Sequence, residues 1–256
     1  MKNTDLCDAI QYVDDKYLDI ANFSHKEVNQ DQNNSRSQLM KTYRVLLIAV
    51  AISLLALTAC ATNVLNIRSL ITGTWKSYKA YHLIDQAMED AGFQISVKEK
   101  FDNHYFFSEV FVNETSATDA ENQKAISYSE IIVIYSNDAG NNLMINAHPD
   151  LEDIPHTPSP AALSKTIGNV TVNYYLDHYR YVPDDYELSD EDRLWEQQPG
   201  NYIAYGSEVL EETSIAFLSW SVDGIYYSIM DSGTAESPES LFSMAETLIN
   251  NGNKEG

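Results

Sequence analysis

Residues 218–229 read LSWSVDGIYYSI, and this stretch determines how the last two predicted strands pair. Asp223-Gly224 is a strong signal for a two-residue β-hairpin turn, because both residues tolerate a positive φ angle. Such a turn pairs Val222 with Ile225, and side chains then alternate between the two faces. One face is apolar and carries Leu218, Trp220, Val222, Ile225, Tyr227 and Ile229. The other face is expected to contact water and carries Ser219, Ser221, Tyr226 and Ser228.

A helix is predicted directly after this hairpin. Ser237 is a favourable N-cap, Pro238 suits the first helical position, and the helix dipole favours Glu239. Gly252 is a typical stop signal. The apolar residues between them follow helical spacing and are Leu241, Phe242, Ala245, Leu248 and Ile249. This stripe needs an apolar sheet face to cover, so the pattern predicts an antiparallel sheet with helices on one side.

Further elements are predicted on both sides of a proline-rich connection at 149–164. Before it, a helix over 74–92 is expected to end at Gly92. Strands are then predicted at 94–101, 105–112, 130–136 and 143–147. After the connection, the strand-like stretches are 167–182, 202–209, 213–222 and 225–231. The sequence therefore predicts an α+β fold class with two segments, 66–150 and 165–252.

Three segments of the second half resemble a C-terminal domain family of unknown function from Gram-positive bacteria. They are 181–188 (YVPDDYEL), 220–227 (WSVDGIYY) and 237–250 (SPESLFSMAETLIN). The family has a Y-x-P-x-G-F turn, a W-x-x-D-G-x-x-Y hairpin and a closing helix; here Asp185 replaces the usual Gly and Met244 the usual Ile. Residues 5–22 are similar to the cytoplasmic opening of single-pass proteins that carry this domain. The resemblance implies this architecture and an anti-sigma-factor-like membrane regulator.

Residues 45–65, VLLIAVAISLLALTACATNVL, contain no charged side chain. A helix of this length spans roughly 30 Å, which is the thickness of a bilayer's hydrocarbon core. Arg36, Lys41 and Arg44 precede the run, whereas the first basic residue after it is Arg68. The positive-inside rule thus predicts a single-pass cell-membrane protein, with a cytoplasmic tail at 1–44 and an extracellular C-terminal domain.

An alternative start changes this prediction. Residues 57–60, LTAC, have the form of a lipobox, and residues 40–44, MKTYR, form a short basic leader. Translation from Met40 would then give a lipid-anchored envelope binding lipoprotein with Cys60 as the attachment site. Read from Met1, the leader is far too long for an ordinary signal peptide, so the uncleaved anchor is the preferred prediction.

The N-terminal tail carries a candidate partner-binding stripe on a helix predicted over 5–22. Its partner-binding residues are Leu6, Ile10, Val13 and Tyr17. A short helix with nothing to pack on is marginal in water, and a cytoplasmic protein such as a sigma factor would complete it. The alternative is a tail helix that lies on its own chain or frays.

Charge and motifs limit the function classes. Residues 1–44 hold six Lys+Arg and seven Asp+Glu, whereas the remainder holds ten and 31, a net charge of −21. This balance argues against nucleic acid as a partner. The motifs of a nucleophile elbow, a zinc protease, a phosphate loop and a dinucleotide fold do not occur, so no enzyme, catalytic residue or cofactor is predicted.

No metal site is predicted either. His148 and His156 flank a group of carboxylates, but their spacing is irregular, and the acidic stretch 184–192 lacks the glycine of a calcium loop. Six tyrosines have two interpretations: they could line a binding face, or they could be ordinary strand residues. They are Tyr174, Tyr175, Tyr179, Tyr181, Tyr226 and Tyr227. Together these observations predict a membrane-anchored, non-enzymatic regulator or sensor with an unknown envelope ligand.

Overall fold

The computed structural model describes residues 67–119, 124–151, 160–232 and 236–252, and within them nine strands form one sheet. The strands are β1 Ile67–Tyr78, β2 Phe106–Asp119, β3 Lys124–Ser136, β4 Asn142–Pro149, β5 Leu163–Ile167, β6 Val170–Val182, β7 Asn201–Tyr205, β8 Glu211–Val222 and β9 Ile225–Ser232. The helices are α1 Ile84–Ala91, preceded by a 3-10 turn at Tyr81–Leu83, α2 Asp190–Glu196 and α3 Pro238–Gly252.

The strand order is β1-β2-β3-β4-β9-β8-β6-β5, so the two halves of the chain meet where β4 pairs with β9. This central pair is antiparallel and places Met144 opposite Met230. Strand β7 pairs with β6 in parallel, and its partners are the last residues of β6, whereas β5 pairs with the first residues. A parallel pair needs a long connection, which the segment containing α2 supplies.

One face of the sheet packs against α1 and α3, and we call it the helix face. Its central residues are fully buried, including Val133 on β3, Ile145 on β4, Leu218 on β8 and Ile229 on β9. Helix α3 contributes the residues of its predicted stripe, Leu241, Phe242, Ala245, Leu248 and Ile249, to the same core. Full burial of a Val, Leu, Ile or Phe side chain stabilises a fold by about 1.5–3 kcal/mol.

The predicted strand register of the last hairpin and the predicted last helix are confirmed. Val222 pairs with Ile225, and the strand register continues through Leu218 and Ile229. Helix α3 begins at Pro238, and the backbone N–H of Ser240 donates to Oγ of Ser237 at 3.2 Å. Gly92 also ends α1 as predicted, with a left-handed φ of 83°.

The opposite face, which we call the ladder face, is largely buried at the hairpin, although the hairpin pattern predicted contact with water. Ser219, Tyr226 and Ser228 are each less than a tenth exposed. A second apolar cluster lies on this face, and within the described residues it consists of sheet side chains alone. The prediction for this side of the hairpin is therefore wrong, apart from Ser221, which is exposed.

Two elements of the first half also differ from prediction. Residues 74–78 of the predicted helix belong to β1, and the α-helix begins only at Ile84. Residues 94–101 form no strand, because tertiary contacts take their backbone groups. The N–H of Lys98 and the C=O of Lys98 both bond to the hydroxyl of Tyr135, at 3.3 and 2.7 Å.

The predicted fold class, an α+β protein with a tail helix, a transmembrane helix and an antiparallel sheet, is wrong. The described chain is mostly a nine-stranded mixed sheet with short helices. The proposed span at 45–65 and the tail at 1–44 lie outside the described residues. Among the residues that the structure describes, helices long and apolar enough to cross a membrane are absent. The single-pass membrane localisation, and the extracellular placement derived from it, are therefore unsupported and withdrawn.

Candidate functional site

The residues predicted to bind partners or lipid lie outside the described part of the chain. They are Leu6, Ile10, Val13 and Tyr17 in the tail and Cys60 in the apolar run. Their roles, and the lipoprotein alternative that begins at Met40, stay predictions.

The acidic stretch 184–192 has a structural role at Asp192. This buried carboxylate accepts hydrogen bonds from the backbone N–H and the Oγ of Ser189, at 2.9 and 2.7 Å, and forms an ion pair with Arg180. The bonds from Ser189, together with those from Arg180 and Tyr186, lower the pKa of Asp192 to about 2. Asp192 therefore caps α2 and ties it to β6. Across the described residues, His, Cys, Asp and Glu form no group of three that could hold a metal.

The tyrosines considered as a binding face are divided between the two sides of the sheet. Tyr174 and Tyr227 belong to the core of the helix face. Tyr226 stacks on His148 on the ladder face, with ring centroids 5.0 Å apart. Because five of the six are less than a tenth exposed, they do not form one accessible binding surface.

An open groove of about 760 Å³ lies on the helix face and is lined by residues of α1, the segment 93–97, the β8–β9 hairpin and α3. Beneath it the rings of Trp220 and Tyr227 are stacked, with centroids 5.2 Å apart and planes within 2° of parallel. These two residues are directly opposite each other on β8 and β9. The hairpin register therefore produces the aromatic floor.

The segment 93–97 forms part of the groove wall and is held by three other elements. The N–H of Ser96 donates to the hydroxyl of Tyr227 at 3.1 Å, and its Oγ donates to the carbonyl of Leu248 at 2.7 Å. The N–H of Ile95 also contacts Sδ of Met88 at 3.2 Å. Bonds to β9, α3 and α1 fix this backbone, so the groove is largely preformed.

The exposed surface of the groove combines apolar walls with an acidic rim. Four apolar side chains are half-buried there and are Phe93, Val97, Val222 and Ile225. Asp85 lies in the first turn of α1, and Asp223 has a φ of 52° in the hairpin turn; both carboxylates are exposed. Burial raises the pKa of Tyr81 at the groove, and the carboxylates of Glu99 and Asp85 raise it further.

The ladder face carries a second polar arrangement, centred on Glu130. Oγ1 of Thr74 donates to Oδ1 of Asn113 at 2.8 Å, and Nδ2 of Asn113 donates to Oε2 of Glu130 at 3.2 Å. Nδ2 of Asn146 donates to Oε1 of Glu130 at 2.6 Å. Burial raises the pKa of Glu130, although the two amide donors oppose this change.

His148 continues this polar row toward β9. Its ring lies between Tyr128 and Tyr226, with centroid distances of 5.1 and 5.0 Å, and its Nδ1 is 2.8 Å from the carbonyl of Pro149. Burial raises the pKa of both tyrosines. Because Glu130 and His148 are almost fully buried, this row is suited to connecting strands, and the open groove is the better candidate for a ligand site.

Sequence reasoning predicted two residues of the groove floor as part of the hairpin's core face, but it did not predict the groove. It paired Trp220 with Tyr227 and placed both on the apolar face. It missed the contribution of Phe93 and Val97, because their alternation with polar residues also fits a strand. Comparisons of the chain with protein-family models, with curated proteins and with solved structures give no match.

Proposed function

We propose that this protein is a non-catalytic binding or sensing protein, and that its ligand occupies the groove between α1 and α3. The observation that carries the proposal is the preformed cleft with an aromatic floor and half-buried apolar walls. Sites for small organic ligands are concave, mostly apolar and about 300–1,000 Å³ in volume, with a few polar groups at defined positions.

The chemistry of the groove favours binding through burial of apolar surface. A ligand that covers Phe93, Val97, Val222 and Ile225 would remove their exposed area from water. This burial contributes a favourable free energy of roughly 25 cal/mol for each Å² of apolar surface. The wall segment is already held in place by Ser96, so binding requires little ordering of the backbone. A sensor's output through the tail stripe of Leu6, Ile10, Val13 and Tyr17 stays a prediction.

The test is a titration of the full-length protein with N-phenyl-1-naphthylamine, a neutral apolar dye whose fluorescence rises in apolar surroundings. Val97→Trp and Val222→Trp would each fill part of the groove and are expected to weaken dye binding about tenfold, which corresponds to roughly 1.4 kcal/mol. Circular dichroism and thermal unfolding establish that each variant is folded.

The matched control is Leu194→Trp on α2. Leu194 is 64% exposed and does not line the groove, so its replacement adds the same indole at a remote surface. This variant should bind the dye like the wild type, even if other apolar segments of the chain also take up dye. Equal dye affinity in all four proteins would contradict the proposed site.

A further inference from the structure

The polar groups that line the groove carry charge of one sign only. Asp85 and Asp223 are its two carboxylates, and they come from α1 and from the hairpin turn. Gln94 and Asn251 add neutral amides. Within the described chain, the lining contains no Lys, Arg or His.

The charge of the whole chain acts in the same direction. The formal net charge is −22 at pH 7, which creates a field that attracts cations and repels anions. Carboxylates above apolar walls match a ligand with a cationic group at one end and an apolar body at the other. An anionic amphiphile would instead place its charge beside two carboxylates.

We propose that the ligand is a small organic cation with an apolar body, in which an ammonium or guanidinium group is joined to an aromatic or aliphatic part. This inference rests on the proposed binding function of the groove. The apolar body contacts Phe93, Val97 and Val222 above the aromatic stack. The cationic group lies at the rim with Asp85 and Asp223.

The size of the expected preference follows from the exposure of the two carboxylates. An exposed ion pair strengthens binding by about 1.4-fold to fivefold, so a cation that pairs with both carboxylates would bind about twofold to thirtyfold more tightly. Salt screens exposed pairs, since the Debye length falls to roughly 3 Å at 1 M. The cationic preference must therefore shrink as salt is added.

The experiment measures displacement of N-phenyl-1-naphthylamine from the full-length protein by three ligands of similar shape. They are 4-phenylbutylamine, a cation, 4-phenylbutan-1-ol, which is neutral, and 5-phenylpentanoate, an anion. We expect the amine to bind about tenfold more tightly than the alcohol at low salt, with the carboxylate weakest. At 0.5 M NaCl the affinities of the amine and the alcohol should become more similar.

The decisive variant carries Asp85→Asn and Asp223→Asn together. Asn tolerates the positive φ at position 223, and Asn-Gly is a favoured hairpin turn, so the fold is retained. The control carries Asp138→Asn and Asp190→Asn, which also replace one turn aspartate and one aspartate in the first turn of a helix. Both control residues are exposed and remote from the groove lining.

The first pair should abolish the preference for the amine and leave the affinity for the alcohol unchanged, whereas the control pair should keep the preference. If the wild type binds amine and alcohol equally, the proposal of a cationic ligand is wrong, while the groove still stands as a binding site. The proposal of a cationic ligand is also wrong if the Asp85/Asp223 variant keeps the preference for the amine. If the alcohol displaces no dye and the groove-filling variants bind dye normally, the proposed function itself fails.

Discussion

The helix face and the ladder face are built from alternate residues of the same strands, yet only the ladder face adds a buried hydrogen-bond network around Glu130 to its apolar contacts. On β3, Val133 lies in the apolar core under the helices, whereas Glu130 lies on the other face and accepts bonds from two amides. Burial on the helix face is nondirectional. On the ladder face each polar group needs a partner at a defined distance, so neighbouring strands must supply complementary side chains.

This comparison teaches that the two faces tolerate change differently. When an aliphatic core side chain is truncated, the protein loses stability in proportion to the volume of the cavity that is left. When a buried hydrogen-bonded group is removed, its partner is left without a hydrogen bond. The loss of stability is then the desolvation penalty of that unsatisfied partner. Three substitutions separate these two forms of stabilisation.

The largest expected effect is on the helix face. Leu218→Ala should lower the free energy of unfolding by about 2–5 kcal/mol, because Leu218 has no exposed surface and a cavity would form between β8 and the helices. Urea denaturation measures the change. Leu194→Ala, at a side chain that is 64% exposed, should change stability by less than about 0.5 kcal/mol. Similar losses for both would show that α1 and α3 do not cover this core.

An intermediate effect is expected on the ladder face. Asn146→Ala removes the donor to Oε1 of Glu130 and should cost about 1–3 kcal/mol in the same urea experiment. Asn173→Ala is the control, since Asn173 lies on the same face and its bond to Ser164 is exposed. If Asn173→Ala costs as much as Asn146→Ala, the buried ladder contributes no special stability.

The smallest expected effect, taken per pH unit, is a change in the pH dependence of stability. Burial raises the pKa of Glu130 in the folded protein, so between its unfolded and folded pKa values the native state holds a proton that the unfolded chain releases. Stability contributed by this group is thus present at low pH and falls as pH rises, by up to about 1.4 kcal/mol per pH unit. Glu130→Gln should remove this decline, measured by urea denaturation from pH 5 to pH 8.

The Gln side chain can be accommodated because Oδ1 of Asn146 has no hydrogen-bond partner among the described residues. Rotation of the Asn146 amide would let that oxygen accept from the new NH₂ group. Glu114→Gln, at an exposed position on the neighbouring strand, should leave the slope unchanged. A wild-type slope that persists in Glu130→Gln would assign the pH dependence to another group.

Local signals predicted the C-terminal elements well. The Asp223-Gly224 turn determines the pairing of Trp220 with Tyr227, and Ser237 with Pro238 determines where α3 begins, because each signal acts over a few neighbouring residues. The helix predicted over 74–92 was correct only at its end. There Gly92 ends α1. At the start of the predicted helix, the aromatic residues Trp75 and Tyr78 fit a strand as well as a helix, and they belong to β1.

The candidate site could be predicted only in part, for a physical reason. Trp220 and Tyr227 are neighbours across a short turn, so their stacking follows from the sequence. Phe93 and Val97 reach the groove because Ser96 bonds to Tyr227 and Leu248, more than a hundred residues away. No periodicity near residue 96 encodes such a contact.

The sequence by itself determined the hairpin register, the start of α3, the stop at Gly92 and the acidic character of the chain. Only the tertiary structure decided that β4 pairs with β9, that both halves share one sheet, and that the polar side of the hairpin is buried. Alternation within a strand defines two faces without saying what covers either one. Which face is covered depends on strands and helices that are distant in the sequence, because their packing decides whether each face is buried.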